Sequence, residues 1–208
     1  MNNKIGKFIT LEGIEGVGKS SHATFIANFL QRAGLDVILT REPGGTALGE
    51  DMRKILLNEY AFPTLPETEL LLLYAGRLQH VEQVIKPALL QNKWVVCDRF
   101  VDATFAYQGA GRGISTKKIA ILNEWALGDF APDCTIVLDA PVDVAMQRIQ
   151  NRRMDRFETQ QIDFFERIRN AYLERARSHP ERYQIVDASV SFSKVQLALS
   201  SILQTLVK

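Results

Sequence analysis

The chain has 208 residues, which at about 150 residues per domain corresponds to one domain plus a modest extra element. Hydrophobic residues make up 46% and charged residues 24%, an ordinary globular composition that excludes global disorder, a collagen-like chain and a disulfide scaffold. Lys+Arg 25 against Asp+Glu 24 leaves a net charge of +1, without the basic excess of a polyanion binder, so no nucleic-acid partner is expected.

Taken in chain order, the first apolar run covers residues 7–13 and reads as a strand. It is too short for a signal peptide or a membrane span, so no membrane partner and a cytoplasmic location are expected. Residues 19–33 follow as a helix with Ala23, Ile26, Phe29, Leu30 and Ala33 on one stripe, and Gly34 is its stop. A strand over 36–41 and a helix over 46–57 come next, the latter periodic through Leu48, Met52, Ile55 and Leu56. A long apolar series over 67–91 contains Pro87, which predicts a kink or boundary near Lys86. Strands over 94–98, 134–140 and 183–188 alternate with helices over 117–127, 164–177 and 193–207. Short apolar runs separated by helices imply βαβ units and a parallel sheet covered on both faces.

The two cysteines, Cys97 and Cys134, each sit in an apolar run and read as buried free thiols of a reducing compartment. His22, His80 and His179 read as surface or packing residues on helix faces or ends, and Trp94 and Trp125 as core. Asp139 ends a strand before Pro141 and reads as a helix cap.

The strongest motif is Gly13-Ile14-Glu15-Gly16-Val17-Gly18-Lys19-Ser20, which satisfies G-x-x-x-x-G-K-[ST] between a strand and a helix. Glycines let backbone N–H groups curl around phosphate oxygens, and the helix that follows aims unsatisfied N–H groups at the anion. Lys19 then bridges the β and γ phosphates of a nucleotide, and the Ser20 hydroxyl holds Mg²⁺. The fold class is therefore α/β, a P-loop NTPase fold with a five-stranded parallel sheet flanked by helices. A GTPase switch is not supported, because Asn92-Lys93-Trp94-Val95 lacks the carboxylate needed to read guanine.

In open α/β sheets ligands sit beyond the carboxyl ends of the strands. Arg41-Glu42-Pro43-Gly44-Gly45-Thr46 and Asp98-Arg99-Phe100 both end strands at that edge, and Arg77 lies on the helix between them. Guanidinium forks match phosphate oxygens, so Arg41, Arg77 and Arg99 suggest a second phosphate, carried by an acceptor.

These strings, with Tyr74-Ala75-Gly76-Arg77, Ala106-Tyr107-Gln108-Gly109 and Asp155-Arg156-Phe157-Glu158, make the chain resemble the thymidylate kinases along its whole length. The resemblance implies a single kinase unit over 1–208 that phosphorylates dTMP to dTDP with ATP and Mg²⁺, and a homodimer. It implies that Arg41, Arg77 and Arg99 hold the dTMP phosphate and that Glu15 accepts a hydrogen bond from the sugar 3′-hydroxyl. It places Thr104 at the thymine edge, Tyr107 against the sugar 2′ position and Gln108 near the same pocket. Asp98 is implied beside Mg²⁺ and the phosphates, and Arg148 and the 188–192 stretch beside adenine. Leu73 stands where the family usually has a Phe that stacks on thymine, with Tyr74 and Phe105 as candidates to compensate.

Arg148, Arg152, Arg153 and Arg156 cluster in a lid expected over about 148–160. Some family members carry an arginine right after the P-loop acid, where this chain has Gly16, so the missing cation is expected from the lid, first from Arg156 and second from Arg153. Three other readings stay open on the residues alone. They are a kinase of another nucleoside monophosphate such as dUMP, a nucleotide-binding regulator that hydrolyses ATP slowly, and a degenerate pseudokinase.

Overall fold

Short apolar, β-branched runs separated by helical segments pair as a parallel sheet whose central strands are buried on both faces. In the computed structural model, which describes residues 6–150, 157 and 161–207, they form β1 (Phe8–Glu12), β2 (Val37–Arg41), β3 (Trp94–Asp98), β4 (Cys134–Asp139) and β5 (Tyr183–Asp187). All pair in parallel in the order β2-β3-β1-β4-β5. Neighbouring residues of a strand face opposite layers. Ile9, Leu11 and Val96 join one buried cluster with Ile26, Leu30 and Phe165, while Phe8, Val95 and Cys97 join another with Ile85 and Phe100.

The register fixes the position of the site. Leu11 lies opposite Asp98, and Asp98 opposite Arg41. Glu12 lies opposite Val137, and Asp139 opposite Asp187. The carboxyl ends of all the strands therefore share one edge, and the charged residues that close the apolar runs gather there.

The covering layers are α1 (Lys19–Arg32), α2 (Ala47–Leu57), α3 (Pro66–His80), α4 (Lys86–Leu90), α5 (Val101–Thr104), α6 (Thr116–Leu127), α7 (Val142–Gln147), α8 (Ile162–Ser178) and α9 (Phe192–Val207). Between α3 and α4 the chain makes a π-helical turn, Val81–Ile85. The irregularity falls just before Pro87, whose ring clashes with the carbonyl four residues back and which has no N–H to give. A second π-helical segment, Phe105–Gly111, continues α5. Among the described residues no helix is long and apolar enough to cross a membrane.

Cys97 and Cys134 are free and buried, and Trp94 is buried in the sheet, as the sequence implies. Two expectations change. Trp125 is 78% exposed: α6 buries Ile119 and Leu127 and leaves Ile121 and Trp125 facing outward. Asp139 makes no cap for α7, because its two oxygens accept from Arg169 of α8 at 2.6 and 2.9 Å. His80 and His22 are buried, which is the packing alternative of the sequence reading, and His80 is fully so.

Candidate active site

The P-loop leaves β1 and ends at α1. The side chains of Ile14 and Val17 are anchored in the core, so the turn between them is held from below and its backbone faces outward. Gly13, Gly16 and Gly18 all have positive φ. At Gly16 (φ 78°) the requirement is also steric, since a Cβ would sit 1.9 Å from the Ala145 carbonyl oxygen of α7. No side chain fits there, so an arginine at this position is excluded by α7 packing against the loop.

Lys19 is buried and donates to the Gly13 and Ile14 carbonyl oxygens at 3.1 and 2.7 Å, folded back over its own loop. Burial, with the Arg99 charge second, pushes its pKa down to about 8. Ser20 Oγ donates to Asp98 Oδ2 at 2.6 Å, which brings a hydroxyl and a carboxylate together at the loop mouth. Among the described residues no group of three or more His, Cys, Asp or Glu could hold a metal by itself. The pair of hard oxygen donors fits Mg²⁺ all the same, because that ion commonly takes one or two protein oxygens and completes its shell with phosphates and water.

A cleft of about 530 Å³ opens from this mouth, and Glu15, Lys19, Ser20, Arg41, Leu73, Arg77, Asp98, Arg99, Thr104, Tyr107, Gln108 and Arg148 all line it. Arg99 leaves β3 with φ 72°, a left-handed conformation that costs a non-glycine residue about 1–2 kcal/mol. The turn is held by its N–H on the Leu11 carbonyl and aims the guanidinium across the cleft. There it donates to Glu15 Oε1 at 2.8 Å, the Tyr107 hydroxyl at 2.9 Å and the Tyr172 hydroxyl at 3.2 Å. Tyr107 in turn donates to Glu15 Oε2 at 2.6 Å.

Arg77 is buried and serves a different part of the cleft. It donates to Glu42 Oε2 at 2.7 Å, Thr104 Oγ1 at 3.0 Å and the Phe100 carbonyl at 3.1 Å, between the Tyr74 and Phe100 rings. Arg41 is exposed and pairs with Glu50 of α2 at 2.9 Å. Gln108 donates to Glu69 at 3.3 Å. Arg148 donates to the Ala188 and Ser189 carbonyls at 2.8 and 3.1 Å, which joins it to the 188–192 loop. Arg152, Arg153 and Arg156 lie outside the described residues.

Neither candidate to compensate for Leu73 faces the cleft. The Tyr74 hydroxyl donates to Asn123, and the Phe105 ring lies under the Arg175 guanidinium at 3.9 Å. The rings that line the cleft are Phe100, Tyr107 and Phe157.

Several site residues escaped the sequence reading. Glu42 was visible only as part of a string. Tyr172 comes from α8, and no local pattern ties it to the P-loop. Glu12 closes β1, fully buried, and accepts from the Phe100 N–H at 2.7 Å and the Tyr172 hydroxyl at 2.9 Å. Burial, with repulsion from Asp102 second, pushes its carboxyl up to about 7.

The Glu12 carboxyl binds more protons in the folded than in the unfolded protein between its ordinary value of 4.5 and about 7. Its contribution to stability is present at the acid end and is lost as pH rises through about 7. Urea midpoints measured from pH 5 to 8 should therefore fall for the wild type relative to Glu12→Gln. Parallel profiles would contradict the assignment.

Three comparisons bear on this geometry. The profile of the thymidylate kinase family matches residues 11–198. The thymidylate kinase of Nitrosomonas eutropha is 48% identical over 200 residues, covering 96% of this chain and 93% of that protein. That of Pseudomonas putida is 49% identical over 199 residues, covering 95% of each. The crystal structure of thymidylate kinase from Ehrlichia chaffeensis superposes with a TM-score of 0.79 at 33% identity, over 96% of this chain and 99% of that one.

Proposed function

Because the chain belongs to the thymidylate kinase family, we propose that it transfers the γ-phosphoryl group of ATP to dTMP, giving dTDP and ADP. The observation that carries this is the Arg99–Glu15–Tyr107 cluster beside the P-loop mouth. It offers a cation for an acceptor phosphate and a carboxylate for a sugar hydroxyl within one set of hydrogen bonds.

In this reading the P-loop backbone and Lys19 hold the donor phosphates, and Arg148 with the 188–192 loop holds adenine. Ser20 and Asp98 would hold Mg²⁺, which supplies charge neutralisation between the phosphates. Arg99 and Arg41 take the dTMP phosphate, Glu15 the 3′-hydroxyl, and Tyr107 crowds the 2′ position against a ribose. Arg77, read from the sequence as a third phosphate ligand, is held beside Thr104 by Glu42 and the Phe100 carbonyl, so in this proposal it meets the acceptor from the base end instead, where Leu73 covers one face and Gln108 stands nearby. A dTMP phosphate oxygen attacks the γ-phosphorus, and the bond to the β–γ bridging oxygen breaks as ADP leaves. No general base is required, since a phosphate monoester is already largely ionised near neutral pH. Catalysis rests on positioning and charge stabilisation.

The absence of room for a side chain at Gly16 supports a lid cation, Arg156 first and Arg153 second, within a lid over about 148–160 of a single kinase unit. The account predicts ADP release from Mg-ATP with dTMP far above that with dUMP, dGMP, dCMP or no acceptor. Arg156→Ala should lower kcat by 10³-fold or more, the order seen for arginines that stabilise this kind of transition state. Equal ADP release in every tube would identify an ATPase and overturn the acceptor site.

We also place the protein in the cytoplasm, a reading supported by its two unpaired thiols, and as a homodimer. The dimer is supported by apolar side chains left outward on the adjacent helices α3 and α6: Leu71 (60% exposed), Ile121 (63%) and Trp125 (78%). Trp125→Glu should sediment as a monomer where the wild type sediments as a dimer. Identical sedimentation of the two would remove this face from the interface.

A further inference from the structure

His80 takes no part in the chemistry described so far, yet it is buried near the cleft with no measurable exposure. Its ring lies at the end of α3, one turn from Arg77. Nδ1 is 3.0 Å from Glu42 Oε1, and Nε2 is 2.7 Å from Thr40 Oγ1 of β2. The other oxygen of the same carboxylate, Glu42 Oε2, accepts from Arg77 Nε at 2.7 Å. Arg77 then donates to Thr104 at 3.0 Å. One continuous chain of hydrogen bonds therefore runs Thr40–His80–Glu42–Arg77–Thr104, from the sheet edge to the cleft wall.

The chemistry of each group orders the chain. Arg77 has only donors, so the Glu42 carboxylate accepts from it, and Nδ1 of His80 carries the proton that faces the second oxygen. A carboxylate with one oxygen on each partner cannot rotate without breaking both bonds. The ring thereby fixes the plane of Glu42, and Glu42 fixes the guanidinium. The backbone makes room for this arrangement. A Cβ on Gly45 (φ 79°) would lie 2.4 Å from His80 Nε2, so the second glycine of Arg41-Glu42-Pro43-Gly44-Gly45-Thr46 is where the ring docks. Two segments separated by α2 and most of α3 meet around one imidazole.

We propose that His80 is a positioning residue for acceptor binding, acting through Glu42 to hold the Arg77 guanidinium in the orientation that meets dTMP. The inference rests on the reading of Arg77 given under Proposed function.

The test uses the full-length enzyme and steady-state constants for both substrates. Asn places an amide N–H near the Nδ1 position and keeps the bond to Glu42. Gln reaches toward Thr40 and loses that bond, and Leu loses both. His80→Leu and His80→Gln should raise KM for dTMP at least tenfold, with KM for ATP within about twofold, whereas His80→Asn should stay within about threefold of wild type for dTMP. In an Arg77→Ala background, His80→Leu should add nothing further to the dTMP KM.

A fall in Tm with an unchanged dTMP KM would make His80 a packing residue and overturn the inference. So would an Asn variant as impaired as Gln, or a His80→Leu effect that persists undiminished without Arg77. If His80→Leu does not fold, the Asn and Gln variants decide the question by themselves. A raised dTMP KM in Arg77→Ala beside inert His80 variants defeats this inference alone. An unchanged dTMP KM in Arg77→Ala defeats the reading of Arg77 and this inference with it.

Discussion

Guanidinium groups buried at the carboxyl edge of a parallel sheet must each be matched by an anion, and this requirement organises the site. An uncompensated buried charge destabilises a protein by several kcal/mol, whereas a paired and fully hydrogen-bonded one is tolerated. Arg77 is matched by Glu42, and Arg99 by Glu15 with two tyrosine hydroxyls. Asp102, buried behind the site, is matched by Arg175 and Tyr183. The sheet register places these charges on one edge, and the carboxylates hold them in a defined geometry there. In the proposed reaction an incoming phosphate would meet cations already oriented, so little reorganisation would be needed when it arrives.

In the proposed reaction the same edge separates two tasks. On the donor side the binding groups are backbone N–H groups of a glycine turn, anchored by the buried side chains of Ile14 and Val17. On the acceptor side they are side chains from β2, α3, β3 and the helical segment after it. Glu15 belongs to the P-loop but reaches the acceptor cluster, so one residue couples the two halves. Gly16 couples the loop to the third part, since α7 packs so closely that only a glycine fits. In the proposed reaction this close contact keeps the P-loop short of a cation and leaves that charge to the lid.

Legibility in the sequence followed the distance over which each feature is encoded. Strands and long helices are encoded by local periodicity, and their predicted limits lie within a residue or two of those observed. The P-loop is contiguous, so its residues could be named one by one. The segment from Val101 to Gly111 has neither a strand pattern nor an uninterrupted α-helical stripe, because most of it is π-helical, and it was not anticipated as an element although it carries Thr104, Tyr107 and Gln108. Trp125 was misjudged because an apolar stripe shows that a face is covered by something, without showing that the cover is the same chain. Glu12 and Tyr172 were missed for a common reason. Each acts through a partner distant in sequence, as Tyr172 does on Glu12 across 160 positions, and no spacing rule reaches that far.

The most direct test is a crystal structure of the enzyme with dTMP and a non-hydrolysable ATP analogue. The account predicts the dTMP phosphate on Arg99 and Arg41, the 3′-hydroxyl on Glu15, the base between Leu73 and the Arg77–Thr104 pair, and the γ-phosphate on Lys19. A dTMP phosphate bound elsewhere, with the Arg99–Glu15 pair intact and both arginines free of it, would contradict it.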